Sequence, residues 1–341
     1  MSFRVFQCLL QALSLYLICQ IAYRVFNLRT AIAAAAICLL YLPDYVSSGL
    51  VLSETMFRTL LILLVLVTCI AVKERKFSWY AAVGVLVACT AYFKPHASLY
   101  PAIFLVLWWK EKYTWKEMAR YCAMIAAVYV LLLSPWWIRN AITFNQWIPF
   151  TQSAGSPFLL GTMIHGNPPD EAFFEYHPEY KESLFHGNDS DLMTAGFRIL
   201  EFGLKSAPLE YAYWYTLGKM IELYIPPYYW KPILGVSETA MRIFQYLLVI
   251  CGLIGLIITF VSRKLRTTSF AVLTLTLGYY TFIYLPFVAF SRYGYPHLFI
   301  IILFAAYAIN RAVELVQSKR TQVGRTLLRQ KAAAIGGGRG R

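Results

Sequence analysis

Ser53-Glu54-Thr55-Met56-Phe57-Arg58-Thr59-Leu60-Leu61-Ile62-Leu63-Leu64-Val65-Leu66-Val67-Thr68-Cys69-Ile70-Ala71-Val72-Lys73-Glu74-Arg75-Lys76 is the stretch whose reading decides the fold. A carboxylate stands at its front edge and a basic cluster closes its rear. Residues 55–72 between them are apolar almost throughout, long enough for a helix to cross a hydrocarbon layer of about 30 Å. Runs of this kind recur along the chain, at residues 5–23, 30–45, 55–72, 77–93, 97–109, 118–137, 241–261, 269–289 and 295–313. The 341 residues are 59% hydrophobic and 14% charged, against roughly half and a quarter in soluble domains. The reading is an all-α polytopic membrane protein with about nine transmembrane helices. Two runs, 30–45 and 97–109, are short for a bilayer and are expected to be tilted, broken or extended by their flanks.

The net charge of +14 has a distribution that excludes nucleic acid as partner. Arg24/Arg29, Lys73/Arg75/Lys76, Lys110/Lys112/Lys116/Arg120 and Arg263/Lys264/Arg266 all fall in short connections. With Lys319, Arg320, Arg325, Arg329, Lys331, Arg339 and Arg341 of the tail, they share one side if nine spans alternate. Such a bias marks the cytoplasmic side. The basic tail, residues 317–341, reads as a disordered cytoplasmic extension near anionic lipid. All seven cysteines lie within apolar runs and read as small packing residues rather than a disulfide or metal framework.

Residues 138–240 differ in composition. They carry eleven of the seventeen carboxylates against six basic residues, and alternation places them outside the cytoplasm. Residues 166–191 are polar and turn-rich. Residues 192–205 and 208–225 show helical apolar periodicity, with Ser206 expected to cap the second helix and Pro208 in its first turn. Tyr211, Tyr213, Trp214, Tyr215 and Tyr224 suit amphipathic helices lying in the headgroup zone. The domain reading is therefore a transmembrane bundle at 1–137, an exoplasmic loop region at 138–240, C-terminal transmembrane helices at 241–316 and the tail at 317–341. With that tail inside, nine spans leave Met1 outside, so the pattern expects a further segment upstream.

The polar residues at the membrane edge carry the chemistry. Ser53-Glu54, Lys94-Pro95-His96, Arg139-Asn140 and Ser291-Arg292-Tyr293 end four different runs, and alternation brings them to one face. Charge at a lipid boundary is costly, so both signs converging there point to a built site for an anionic, lipid-linked substrate. Glu54 has two readings: a helix N-terminal charge capped by Ser53 and paired with Arg58 four residues on, or a cleft carboxylate that binds an acceptor or orients a base. Asp44 is a second external carboxylate, with turn chemistry as its alternative. Lys94, Arg139 and Arg292 are phosphate-contact candidates, with snorkelling as the alternative for Lys94. His96 and Tyr293 are substrate-contact candidates beside them. His165, His177 and His186 match no compact metal motif. Neither a metal nor a nucleotide cofactor is indicated.

Read together, Leu52-Ser53-Glu54-Thr55-Met56-Phe57, Lys94-Pro95-His96, Pro135-Trp136-Trp137-Ile138-Arg139-Asn140, Ile148-Pro149-Phe150, Gly155 with Gly161, and Arg292-Tyr293-Gly294-Tyr295-Pro296 carry a resemblance. In order and spacing the chain resembles the C-type integral-membrane glycosyltransferases, in the group of protein O-mannosyltransferases (dolichyl-phosphate-mannose-protein mannosyltransferases) and aminoarabinose transferases. The resemblance implies a sugar donor on polyprenyl phosphate, a glycan, lipid or protein acceptor, membrane lipid as surroundings and, in a bacterium, the cytoplasmic (inner) membrane with the active site facing outside. It implies Lys94, Arg139 and Arg292 on the lipid phosphate and Glu54 at the second acidic position. Members of the group begin with one further span and an external loop bearing an acidic base. The expectation is thus a shortened form, incomplete or inactive, for which Asp44 is a poor substitute. The rival expectations are a transporter or flippase of lipid-linked sugar, and a non-catalytic membrane assembly protein.

Overall fold

The computed structural model describes residues 2–262 and 267–336, with side chains described through Ser318. Arg263, Lys264 and Arg266 of the charge pattern, and the side chains of the basic tail from Lys319 on, lie outside the described residues. The chain begins with α1 (Ser2–Val25), α2 (Leu28–Leu40), α3 (Pro43–Gly49), α4 (Glu54–Glu74) and α5 (Phe77–Phe93). A 3₁₀ stretch, Pro95–Ala102, leads into α6 (Ile103–Lys110) and then α7 (Trp115–Phe144). The next segment holds α8 (Gly155–Thr162), α9 (Glu171–Tyr176), α10 (Asp189–Ser206) and α11 (Pro208–Tyr213). A π-helical turn, Trp214–Gly218, joins α11 to α12 (Lys219–Tyr224). The chain closes with α13 (Glu238–Val261), α14 (Thr268–Tyr284), α15 (Ser291–Gly294), a 3₁₀ turn Tyr295–His297 and α16 (Leu298–Gly336). No strand occurs among the described residues. The protein is an all-α, multi-pass membrane protein.

Local chemistry sets the helix starts. Asn27 Oδ1 accepts the Thr30 amide at 2.8 Å and opens α2. Thr114 and Glu117 form a reciprocal capping box at α7, and Asn188 and Asp191 form one at α10. Ser237 and Thr267 cap α13 and α14. Two expected caps are corrected. Ser53 occupies the N-cap of α4 but makes no capping bond, because its backbone is already helical. Ser206 closes the preceding helix instead of opening the next, its hydroxyl donating to the Phe202 carbonyl at 2.9 Å. Pro208 does sit at the first position of α11, where a missing N–H is harmless.

Five helices among the described residues are long and apolar enough to cross a membrane, and six with the pair α2 and α3, bent by 57°. The two runs read as short are both broken. Pro43 interrupts the first, and Pro95 and Pro101 keep the front half of the second in 3₁₀ form. α5 and α14, at 17 residues each, reach only about 26 Å and complete the bundle as shorter elements.

α4 is the central element, packed on α1, α5, α14 and the Tyr295–His297 turn. The first three turns of α16, from Leu298 to Ala308, are buried on every side, as an all-round apolar helix requires. α16 lies tightly along α13 because Gly252 and Gly255 face it. A Cβ on Gly255 would stand 1.9 Å from the Phe304 carbonyl oxygen. The segment after α7 has a small core of its own, in which Leu159, Met163, Phe173, Leu184, Ala195 and Ile199 cluster. It is also fastened to the bundle. The Val288 amide donates to the Pro157 carbonyl at 2.7 Å, and Gly161 lies against the Phe287–Val288 peptide, where a Cβ would meet backbone at 2.5 Å.

Candidate functional site

Glu54 begins α4 with its side chain 1% exposed. Burying a carboxylate costs several kcal/mol unless cations compensate it, and here two do. Arg292 Nε donates to Glu54 Oε1 at 2.6 Å, and Lys94 Nζ lies 3.5 Å from the same oxygen. The arginine contact is the tight one. Lys94 comes from the break between α5 and the Pro95 3₁₀ stretch, where extended backbone turns its side chain inward. Arg292 comes from α15, the short helix between α14 and α16. Two cations on one carboxylate leave one positive charge in excess. Both cations keep partial access to solvent, at 18% and 35%, while Glu54 does not.

Lys94 lines a cleft of about 510 Å³ together with His96, Tyr284 and Tyr293. Its ammonium lies 5.4 Å from the Tyr293 ring centroid. Tyr293 is held flat between Tyr284, at 5.2 Å, and Phe290, at 4.7 Å. Tyr284 Oη and His96 Nε2 are hydrogen-bonded at 3.0 Å, and the His96 carbonyl accepts from Tyr279. The remaining wall is mostly apolar, with Pro149, Phe150, Pro157, Ile283, Phe287 and Val288 in its lining. A cleft with a cationic corner and greasy walls suits a ligand that is anionic at one end and hydrocarbon at the other. A second hollow, of about 230 Å³, opens beside α10 and α11, but its lining contains Asp170 and Glu210 and no lysine or arginine. It is the wrong sign for an anion.

The sequence-expected residues divide. Glu54, Lys94 and Arg292 are brought into contact, and His96 and Tyr293 share the cleft with Lys94. Arg139 is placed apart. It is exposed near the end of α7, donates to Asn140 Oδ1 at 3.0 Å, and has the Trp136 and Phe144 rings 5.4 and 5.5 Å from its guanidinium. The i, i+4 pairing of Arg58 with Glu54 is corrected. Arg58 is fully buried and pairs with Asp44, because α3 folds back over α4 and presents that carboxylate. Its guanidinium also lies 4.6 Å over the Tyr295 ring. Asp44 is thereby the counter-ion of a buried arginine and takes no part in lining the cleft.

Sequence reading missed Tyr284, an aromatic among many in an apolar run; its position eight residues before Arg292-Tyr293 was the only signal. It also missed how the 145–153 stretch reaches the cleft. Asn140 Nδ2 donates to the Ile148 carbonyl at 2.9 Å and Trp137 Nε1 to the Pro149 carbonyl at 3.0 Å, which folds Phe150 inward. Among the described residues no three His, Cys, Asp or Glu side chains gather in a metal-ligating cluster.

Residues 1–138 match the family model described as dolichyl-phosphate-mannose-protein mannosyltransferase, and over that stretch the chain is similar to this family. Glu54 and Lys94 fall inside the match, Arg292 and Tyr293 beyond it. Neither a curated protein nor a solved structure matches the chain.

Proposed function

We propose that this protein is a membrane glycosyltransferase that takes a sugar from a polyprenyl-phosphate donor, in the bacterial cytoplasmic membrane and with its cleft facing outside. The observation that carries the reading is the convergence of Lys94 and Arg292 on buried Glu54, with Lys94 also lining the adjoining, mostly apolar cleft. The hydrocarbon of the donor follows the Phe150 and Phe287 walls, and its phosphate meets the two cations. An acceptor hydroxyl on a glycan, lipid or protein then attacks the anomeric carbon. The new carbon–oxygen bond forms as the bond to the phosphate oxygen breaks, and the phosphate leaves with that electron pair. Its charge grows by one, and Lys94 and Arg292 stabilise it. The hydroxyl proton passes to a base.

Glu54 serves this scheme in one of two ways. As a counter-ion it spaces the cations, so that Glu54→Gln alters donor affinity. As the base it acts on the acceptor, so that Glu54→Gln abolishes transfer with donor affinity intact. The central test is sugar transfer from a labelled lipid donor in membranes. Lys94→Ala and Arg292→Ala should each lower the rate by roughly 10²–10³, the usual loss when one donor to a developing oxyanion is removed. Unchanged transfer in both variants would overturn the assignment. Movement of intact donor across the bilayer without sugar release would favour a flippase.

A further inference from the structure

We propose that Lys219 is a positioning residue of the cleft, clamping the α14–α15 connection so that the Phe287–Val288 wall stays in place. Lys219 opens α12, outside the membrane-spanning helices, and is 0% exposed. Its ammonium donates to the Leu285 carbonyl at 2.6 Å and to the Phe287 carbonyl at 3.0 Å. It also lies 3.8 Å from the centroid of the Tyr215 ring. Leu285 is the C-cap of α14, so its carbonyl is one that a helix leaves without a partner at its C-terminal end, and the Phe287 carbonyl lies two residues farther along the connection. A cation there satisfies them and opposes the negative end of the helix dipole. Burial pushes Lys219 down to about 7.

The clamp is one side of a clasp. Trp214, one turn before Lys219, donates through Nε1 to the Gly161 carbonyl at 3.1 Å, and Gly161 itself presses on the Phe287–Val288 peptide. From that same α8 the Pro157 carbonyl accepts the Val288 amide. The connection is therefore gripped by α12 from one side and α8 from the other. Phe287, Val288 and Pro157 all line the cleft. Farther along, Gly294 touches the Leu223 carbonyl so closely that a Cβ would stand at 1.8 Å, which ties α12 to the helix bearing Arg292. Loosening the Lys219 clamp thus shifts the apolar wall first, because its bonds reach Leu285 and Phe287 and not Arg292.

The kinetic part rests on the reading of the cleft as the donor site, so the experiment has two arms. Lys219→Met keeps the length and loses the donors, and Lys219→Gln keeps an N–H donor without charge. In the full-length protein in detergent, Lys219→Met should speed hydrogen exchange at residues 285–290 roughly tenfold or more, while α4 exchanges as in the parent. Lys219→Gln should fall between them. In transfer assays Lys219→Met should raise the donor KM several-fold with kcat little changed. Exchange at 285–290 equal to the parent's, or faster exchange with an unchanged KM, overturns the proposal. If Lys219→Met fails to fold, Trp214→Phe removes the companion bond and must loosen the same residues, or the clasp is wrong. A parent protein that transfers no sugar defeats the reading of the site and leaves the exchange arm to judge the clamp.

Discussion

At the scale of single residues, the molecule separates two ion-pair systems that lie close in sequence. Arg58 and Asp44 are both buried and depend on each other. Removing one member of such a pair leaves an unpaired charge in the core, at a cost of about 3–5 kcal/mol. Asp44→Ala should therefore lower thermal stability sharply in detergent, and Asp44→Ala with Arg58→Met should recover most of the loss. A single variant that melts like the parent would sink this account. Glu54, ten residues on from Asp44, faces the other way and holds cations that retain solvent access. The edge position of Glu54, Lys94 and Arg292 was legible from hydropathy, because polar residues at the end of an apolar run stand out. Their partners were not. The i, i+4 rule offers Arg58 for Glu54, but the contacts actually made span 40 and 238 residues, and spacing along a helix carries no information about those. Arg139 shows the converse, a conspicuous edge cation whose neighbours are its own segment.

At the scale of elements, proline and glycine decide what apolarity leaves open. The two short runs are broken at Pro43 and at Pro95 and Pro101, and it is the second break that delivers Lys94 and His96 to the cleft. Those breaks were readable, since proline removes a helix donor wherever it falls. The closeness of α13 and α16 was not, because nothing local distinguishes a glycine that faces a partner helix from one that faces lipid. Gly255→Leu should force the helices apart at Phe304, with a loss of about 3 kcal/mol, at the upper end of overpacking costs. Gly278→Ala, where a Cβ would meet nothing within 4 Å, is the control and should melt within a degree or two of the parent or above it. Equal losses for both variants would show that the close packing carries no stability.

At the scale of the whole molecule, composition revealed the class and the charge asymmetry gave an orientation to test. The acidic segment and the basic connections should lie on opposite sides. Single cysteines at Ser190 and Lys112, introduced after the native cysteines are replaced, should react with an impermeant reagent from opposite sides of sealed vesicles. Reaction of both from one side would refute the orientation and with it the outward-facing cleft. The number of crossings is harder to read from hydropathy, which counts nine apolar runs where, among the described residues, length and composition together admit five helices, or six with the bent pair. Hydropathy sees apolarity but not whether a run is continuous helix.

The triad at the cleft also imposes an order on the life of the chain. Glu54 and Lys94 leave the ribosome early and can meet as soon as the first spans are in place. Arg292 follows only after the acidic segment has been delivered and two further helices have been threaded. Until then the buried carboxylate has one cation, and the corner has no excess positive charge to offer. The three-membered ion cluster is thus completed late in biosynthesis, and a nascent chain carries Glu54 with only half of its compensating charge until α15 is in place.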